Sequence, residues 1–155
     1  MLGRQAPADA RTAMADREPM VRFAGASDLS ACVELDPHVG EDVLARKIEA
    51  GEVVLAEVNG EPAGYLRLEY LWSKVPYIGL IFVVEERRGC GVGRAMLAFV
   101  EGFLRGRSYR VLLSSSQADE AEPQAWHRRM GFEECGVLSG INDGGVGEIF
   151  FRKRL

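Results

Sequence analysis

From Met20 onward, short apolar runs and amphipathic stretches alternate, separated by glycine- and aspartate-rich breakers. Met20-Val21-Arg22-Phe23-Ala24 has a period of two and predicts a short strand. Gly25 and the capping residues Ser27-Asp28 follow, predicting a helix that runs to about Asp36. The breaker Asp36-Pro37-His38-Val39-Gly40 precedes a second helical stretch in which Val43, Leu44, Lys47 and Ile48 share a face, ended by Gly51. Val53–Val58 and Ala63–Tyr70 flank Asn59-Gly60, the pattern of an antiparallel hairpin with a loop of about four residues. Val75 to Val84 is apolar at nearly every position and predicts a central strand buried on both faces. After a glycine-dense segment, Ala95–Leu104 reads as a helix with Met96, Val100, Phe103 and Leu104 toward the core. Arg110–Ser115 is then a buried strand, which completes a β-α-β unit with the usual right-handed crossover if the two strands are parallel. A short helix from about Glu122 to Met130 has Pro123 in its first turn and Gly131 at its C-cap. Two last strands, Phe132–Leu138 and Glu148–Arg154, are separated by a turn at Ile141–Gly145.

Residues Met1 to Pro19 have neither period, and apart from Thr12 they hold no aromatic or β-branched residue. They are expected to form a disordered N-terminal tail ahead of a domain spanning 20–155. No apolar stretch of about 7 to 15 residues there resembles a secretory signal. A chain of 155 residues, 47% hydrophobic and 27% charged, suits one globular domain. Its longest uncharged stretch is Val75 to Val84, against the roughly 18 residues of a membrane-spanning helix, so no membrane association is expected. Nineteen basic against 23 acidic side chains give a charge of −4, the wrong sign for a phosphate backbone, and no nucleic-acid partner is expected. Cys32, Cys90 and Cys135 are widely spaced and fit neither a disulfide framework nor a zinc ribbon, which suits a reducing cytoplasm. With His38 and His127 the only histidines, no metal site is expected.

The candidate chemistry lies in Glu85-Glu86-Arg87-Arg88-Gly89-Cys90-Gly91-Val92-Gly93-Arg94, between the apolar strand and the helix. Glycines let backbone N–H groups approach an anion, and a helix start adds a favourable dipole, so a phosphate is the expected guest. A Walker A loop requires Lys-Ser/Thr where Arg94-Ala95 stands. A dinucleotide fingerprint requires glycine or alanine where Arg94 or Met96 stands. Arg88-Gly89-Cys90-Gly91-Val92-Gly93 instead matches Arg/Gln-x-x-Gly-x-Gly/Ala after a hydrophobic strand, and here the chain resembles the GNAT superfamily of acetyl-CoA-dependent N-acetyltransferases. Leu80 to Arg88 looks like that family's strand and its run into the loop, and Ala125 to Phe132 like its penultimate helix with the closing Gly-Phe. The likeness extends in element order from about Met20 to Leu155.

The resemblance implies a mixed α/β fold: a mostly antiparallel central sheet, a β-α-β acetyl-CoA unit and flanking helices. It implies that the backbone of Ile81, Phe82 and Val83 pairs with the pantetheine arm. The N–H groups of Arg88, Gly89, Cys90, Gly91, Val92, Gly93 and Arg94 would hold the pyrophosphate. It also implies direct transfer to an amine without an acyl-enzyme. An amine attacks a thioester only when unprotonated, so such an enzyme must accept a proton, stabilise an oxyanion and protonate the thiolate. Where the family commonly has a tyrosine, four residues before the glycine of Gly-Phe, this chain has His127, the expected general acid, which reads also as an exposed or capping helix histidine. Where many relatives have an asparagine, it has Glu120. Glu69 is the expected proton acceptor, with Glu57 or a carboxylate acting through water as alternatives; Arg67 and Glu69 read equally well as a surface ion pair. Tyr65, Tyr70, Trp72 and Tyr77 read as core packing or as the lining of an acceptor pocket. The expected partner is an amine acceptor, and a homodimer is compatible with the pattern. A non-catalytic acyl-CoA-binding or sensing domain is the competing function, and a longer acyl-CoA is a further option.

Overall fold

The short apolar runs of the sequence become strands and the amphipathic stretches become helices in a computed structural model that describes residues 18–155. Apart from Glu18 and Pro19, the tail expected at residues 1–19 lies outside the described residues. The elements are β1 (Met20–Phe23), α1 (Leu29–Leu35), α2 (Glu41–Glu49), β2 (Val53–Val58), β3 (Glu61–Leu71) and β4 (Val75–Val83). They continue with α3 (Val92–Gly106), β5 (Val111–Gln117), α4 (Ala121–Arg129), β6 (Glu133–Leu138) and β7 (Glu148–Arg154). The strands form one seven-stranded sheet in the order β1-β2-β3-β4-β5-β7-β6. Only β4 and β5 run parallel, as the β-α-β unit β4-α3-β5 requires, and the other pairs are antiparallel.

Helix α3 covers one face. Its Val92, Met96, Leu97, Val100 and Leu104 pack with Val54, Leu66, Leu68, Ile78, Leu112 and Phe151. Close approach depends on Gly64, where a Cβ would stand 2.8 Å from Val92 and 2.7 Å from Met96. The other face of β2 and β3 is covered by Cys32, Leu44 and Ile48 of α1 and α2 against Val53, Leu55 and Tyr65. Phe103 is only partly buried and packs on the Phe23 ring, 4.8 Å between centroids.

Three local expectations change. The β2–β3 hairpin closes in two residues rather than about four, because Asn59 and Gly60 take φ of 56° and 80°, both in the left-handed region that a tight type I′ turn uses. β3 therefore starts at Glu61, and Pro62, with no N–H to give, sits opposite Glu57 at an irregularity in the ladder. The strand expected to be buried on both faces is buried only at Pro76 and Ile78 and half-buried elsewhere. Its C-terminal half lines an opening in the sheet. Finally, the hairpin aromatics disperse: Tyr65 is fully buried, Tyr70 meets Tyr109 at 5.9 Å, and Trp72 stands 82% exposed on the β3–β4 turn.

Candidate active site

The opening originates in one residue. Arg67 pairs with Leu80 and Leu68 with Ile78, so Gly79 has no partner on β3 and forms a bulge. Glycine is needed there, since a Cβ would lie 2.8 Å from Glu69 Cγ and 2.9 Å from Arg67 Nη1. Bulges bend a strand and increase its twist. The parallel β4–β5 seam accordingly ends after two registered pairs, Tyr77 with Leu113 and Ile78 with Ser114. Beyond it, Ile81, Phe82 and Val83 keep β3 on one edge and, among the described residues, have no strand on the other. An exposed strand edge of this kind can take an extended amide-bearing ligand as an added strand.

The strand then enters the glycine loop. Gly89 and Gly91 have φ of 73° and 82°, a conformation that suits glycine. Gly91 is the N-cap of α3, and no side chain among the described residues caps the helix. The first intrahelical bond runs from the Ala95 N–H to the Gly91 carbonyl at 2.9 Å, which leaves the N–H groups of Val92, Gly93 and Arg94 directed out of the helix start. That is an anion-binding end, reinforced by the helix dipole. The Arg88 guanidinium donates to the Val83 carbonyl at 3.2 Å and ties the loop to the strand end.

Loop, strand edge and α4 enclose a cleft of about 500 Å³. Of the residues expected to bind the cofactor, Ile81, Phe82, Val83, Arg88, Gly89, Gly91, Val92, Gly93 and Arg94 line it, joined by Arg87. Cys90 does not; it is exposed, with its thiol toward the Arg88 carbonyl. The opposite wall, unforeseen from the sequence, comprises Pro123, Trp126, Arg129 and Met130, and the Trp126 ring would lie 3.5 Å from a Cβ placed on Gly93.

A second cleft of about 320 Å³ lies between the splayed strands, and the two clefts share Ile81, Pro123 and His127. The successive residues Ser114 and Ser115 point to opposite faces of the sheet at this junction. Ser114 bonds His127 Nε2 at 2.7 Å, whereas Ser115 meets the Tyr77 hydroxyl at 2.7 Å and donates to Glu148.

His127 is not the exposed helix residue that its neighbours in sequence suggest. It is 3% exposed and stacked on Phe151 at 4.6 Å, and both nitrogens are engaged. Nδ1 lies 2.8 Å from the Pro123 carbonyl, an atom that only accepts, so Nδ1 carries the proton and Nε2 accepts from the Ser114 hydroxyl. Burial lowers its pKa from the usual histidine value, against the opposing pull of the Pro123 carbonyl and the Glu148 charge. The resting ring is neutral.

Glu69 sits beside the Gly79 bulge but outside the lining of both clefts. Arg67 holds one of its oxygens and Lys47 Nζ the other, at 2.6 Å. The Arg67–Glu69 pair is no surface pair: Arg67 is 8% exposed and its Nε lies 2.6 Å from Asp36, which is fully buried and also accepts from the Tyr65 hydroxyl at 2.9 Å. Burial, then the hydrogen bond to Asp36, pushes the Tyr65 phenol far above its ordinary range. Glu57 is taken up by Arg22, and Glu120 stands at the N-cap position of α4, at the rim of the second cleft, without a side-chain capping bond.

Comparison with known proteins agrees with this architecture. Residues 23–132 match the sequence profile of the acetyltransferase (GNAT) family. The chain is 32% identical over 133 residues to aminoglycoside N(6')-acetyltransferase type 1 of Stenotrophomonas maltophilia, covering 75% of this chain and 87% of that one. The ribosomal-protein-alanine N-acetyltransferase of Brucella melitensis superposes with a TM-score of 0.75 at 25% identity, covering 88% and 99% of the two chains. The protein yncA of Salmonella typhimurium, solved with its cofactor acetyl-CoA, shares the fold with a TM-score of 0.77 at 19% identity, covering 90% and 95%.

Proposed function

The chain belongs to the GNAT acetyltransferase family, an acetyl-CoA-dependent acyltransferase, and from that premise we propose that its domain at 20–155 acetylates a primary amine by direct attack. The observation that carries this reading is the meeting of two clefts at His127, one bounded by an anion-binding helix start and a free strand edge. The residues suit the donor: the free edge at Ile81, Phe82 and Val83 would pair with the pantetheine amides. The loop N–H groups from Arg88 to Arg94, with the charges of Arg87, Arg88 and Arg94, would hold the pyrophosphate. Cys90 contributes main chain only. Bound there, acetyl-CoA supplies an activated acetyl thioester.

A neutral imidazole at the junction suits a proton shuttle better than a resting acid. Its Nε2, released by rotation of the Ser114 hydroxyl, takes the proton that the acylated nitrogen must lose and returns it to the departing sulfur. Burial disfavours the imidazolium and so favours that return. Glu69, expected as the proton acceptor, has both oxygens engaged by cations, and we assign it to holding the Gly79 bulge. The acceptor class that fits best is a cationic small molecule: the chain carries −4, the second cleft holds two carboxylates, Glu120 and Glu148, and one relative is named for acting on aminoglycosides. Three free cysteines, two of them exposed, favour a reducing cytoplasm.

Thermal denaturation with and without acetyl-CoA, followed by thiol release across a panel of primary amines, tests this reading. A shift in Tm with acetyl-CoA and thiol release with an amine are the expected results. A shift without turnover of any amine would favour the acyl-CoA sensor, and no shift would overturn the donor site.

A further inference from the structure

A primary amine that binds as an ammonium must lose two protons during acetylation, one before attack and one after. His127, proposed above for the second, is a single neutral ring and leaves the first proton without a taker. The candidate carboxylates differ in their surroundings, and Glu122, exposed, lines the first cleft but not the second. Glu57 is paired with Arg22, and Glu69 with Arg67 and Lys47. Glu120 is exposed at the rim, with no hydrogen bond fixing its side chain among the described residues. Glu148, at the start of β7, lines the second cleft, and among the described residues it makes no ion pair. It is nevertheless fixed: Ser115 donates to one oxygen and Asn142 Nδ2 to the other at 2.8 Å, while the Tyr77 hydroxyl, 2.7 Å from Ser115, orients the serine.

A second, independent feature marks the same cleft as built for a ligand. Ser116 lines it, is 6% exposed, and its buried hydroxyl has no hydrogen-bond partner among the described residues. The cleft also reaches His127, whose ring feels the Glu148 charge.

We propose that Glu148 receives the first proton of a primary alkylammonium acceptor bound in the second cleft. This rests on the amine acetyltransferase reading above. One N–H bond of the ammonium breaks and an O–H bond forms on the Glu148 carboxylate; the nitrogen keeps the electron pair and attacks the acetyl carbon. The second proton leaves the nitrogen for His127 Nε2 and passes to the sulfur as the C–S bond breaks. Glu148, half-buried, returns its proton to water through the cleft mouth.

The test compares wild-type protein with Glu148→Gln by thiol release from acetyl-CoA at pH 7, using putrescine, kanamycin and hydroxylamine. The first two are ammonium ions at that pH and must be deprotonated, whereas hydroxylamine is already neutral. The expected result is a loss of about 10²-fold or more in kcat/KM with putrescine or kanamycin, and a deficit at least an order of magnitude smaller with hydroxylamine. Ser115→Ala, which removes one donor from the carboxylate, is expected to show the same pattern in weaker form. Equal losses with ionised and neutral amines, or no loss with either, overturn the proposal. So does a wild-type protein that turns over none of the three amines. Stabilisation by acetyl-CoA, measured on every variant, separates that failure from a failure of the donor site or of folding.

Discussion

The two seams on either side of β4 are built in opposite ways. Toward β3 the strand is registered at eight positions, and the charges above that seam answer one another: Asp36 with Arg67, Arg67 with Glu69, Glu69 with Lys47, Lys47 with Glu52. Toward β5 it is registered at two, and among the described residues the helix-start N–H groups and the Ser116 hydroxyl have no side-chain partner, while the Glu148 carboxylate is held by Ser115 and Asn142 but by no cation. The closed seam satisfies its polar groups internally and contributes stability. The open one leaves room for a ligand, and the proposed function is placed there. A seven-stranded sheet tolerates an interruption at its centre because β7 anchors β5 along all seven of its residues.

The sharpest way to break this comparison is Asp36→Ala. Arg67 would remain buried without its main partner, and the expected loss of stability is about 3–5 kcal/mol in urea denaturation, with acetyl-CoA binding kept under native conditions. Unchanged stability with lost turnover would move the cluster to the functional side. Next in size, Gly91→Val forces a β-branched residue to φ 82° and is expected to cost about 1–2 kcal/mol. It should also weaken acetyl-CoA binding about tenfold by calorimetric titration, equivalent to about 1.4 kcal/mol. Gly93→Ala, whose Cβ would make ordinary contact with Trp126 at 3.5 Å, is expected to be nearly neutral, so equal effects at the two glycines would contradict the loop geometry.

A smaller effect follows from His127. Its native pKa is lowered by burial, so below the ordinary value of about 6.5 the unfolded chain takes up a proton that the native ring resists. Its contribution to stability is therefore complete above that value and falls as pH drops through about 6.5, by at most about 1.4 kcal/mol per pH unit. Denaturation midpoints between pH 5 and 7 should show this slope in wild type and a flatter one in His127→Phe. The least perturbing probe is thiol labelling. Burial on the inner face of α1 pushes the Cys32 thiol up to about 11, whereas Cys90 and Cys135 are exposed. Two thiols should react rapidly in the native protein and the third only on unfolding; native reactivity of Cys32 would show that the closed side opens.

The order of strands and helices was legible because each run carries its own period, and the glycine loop because its residues are contiguous. The bulge at Gly79 was hidden in an apolar run, where one glycine among nine strand residues gives no period of its own. The Asp36–Arg67 contact spans 31 positions, and nothing in either segment points to the other, so Arg67 read as easily as a surface residue. Glu148 and Ser115 are likewise joined only by the pairing of β5 with β7. His127 was locatable from the Gly-Phe that follows it, but its burial and tautomer depend on Phe151, Ser114 and the Pro123 carbonyl, two of them on other strands.

The same architecture equips the molecule with an optical reporter. Of its two tryptophans, Trp72 stands in solvent on a turn and Trp126 forms the cleft wall facing Gly93. Emission from Trp72 is then a constant background, already red-shifted by water, and Trp126 responds to whatever enters the cleft. With Trp72→Phe, a single indole would report occupancy in real time without a label.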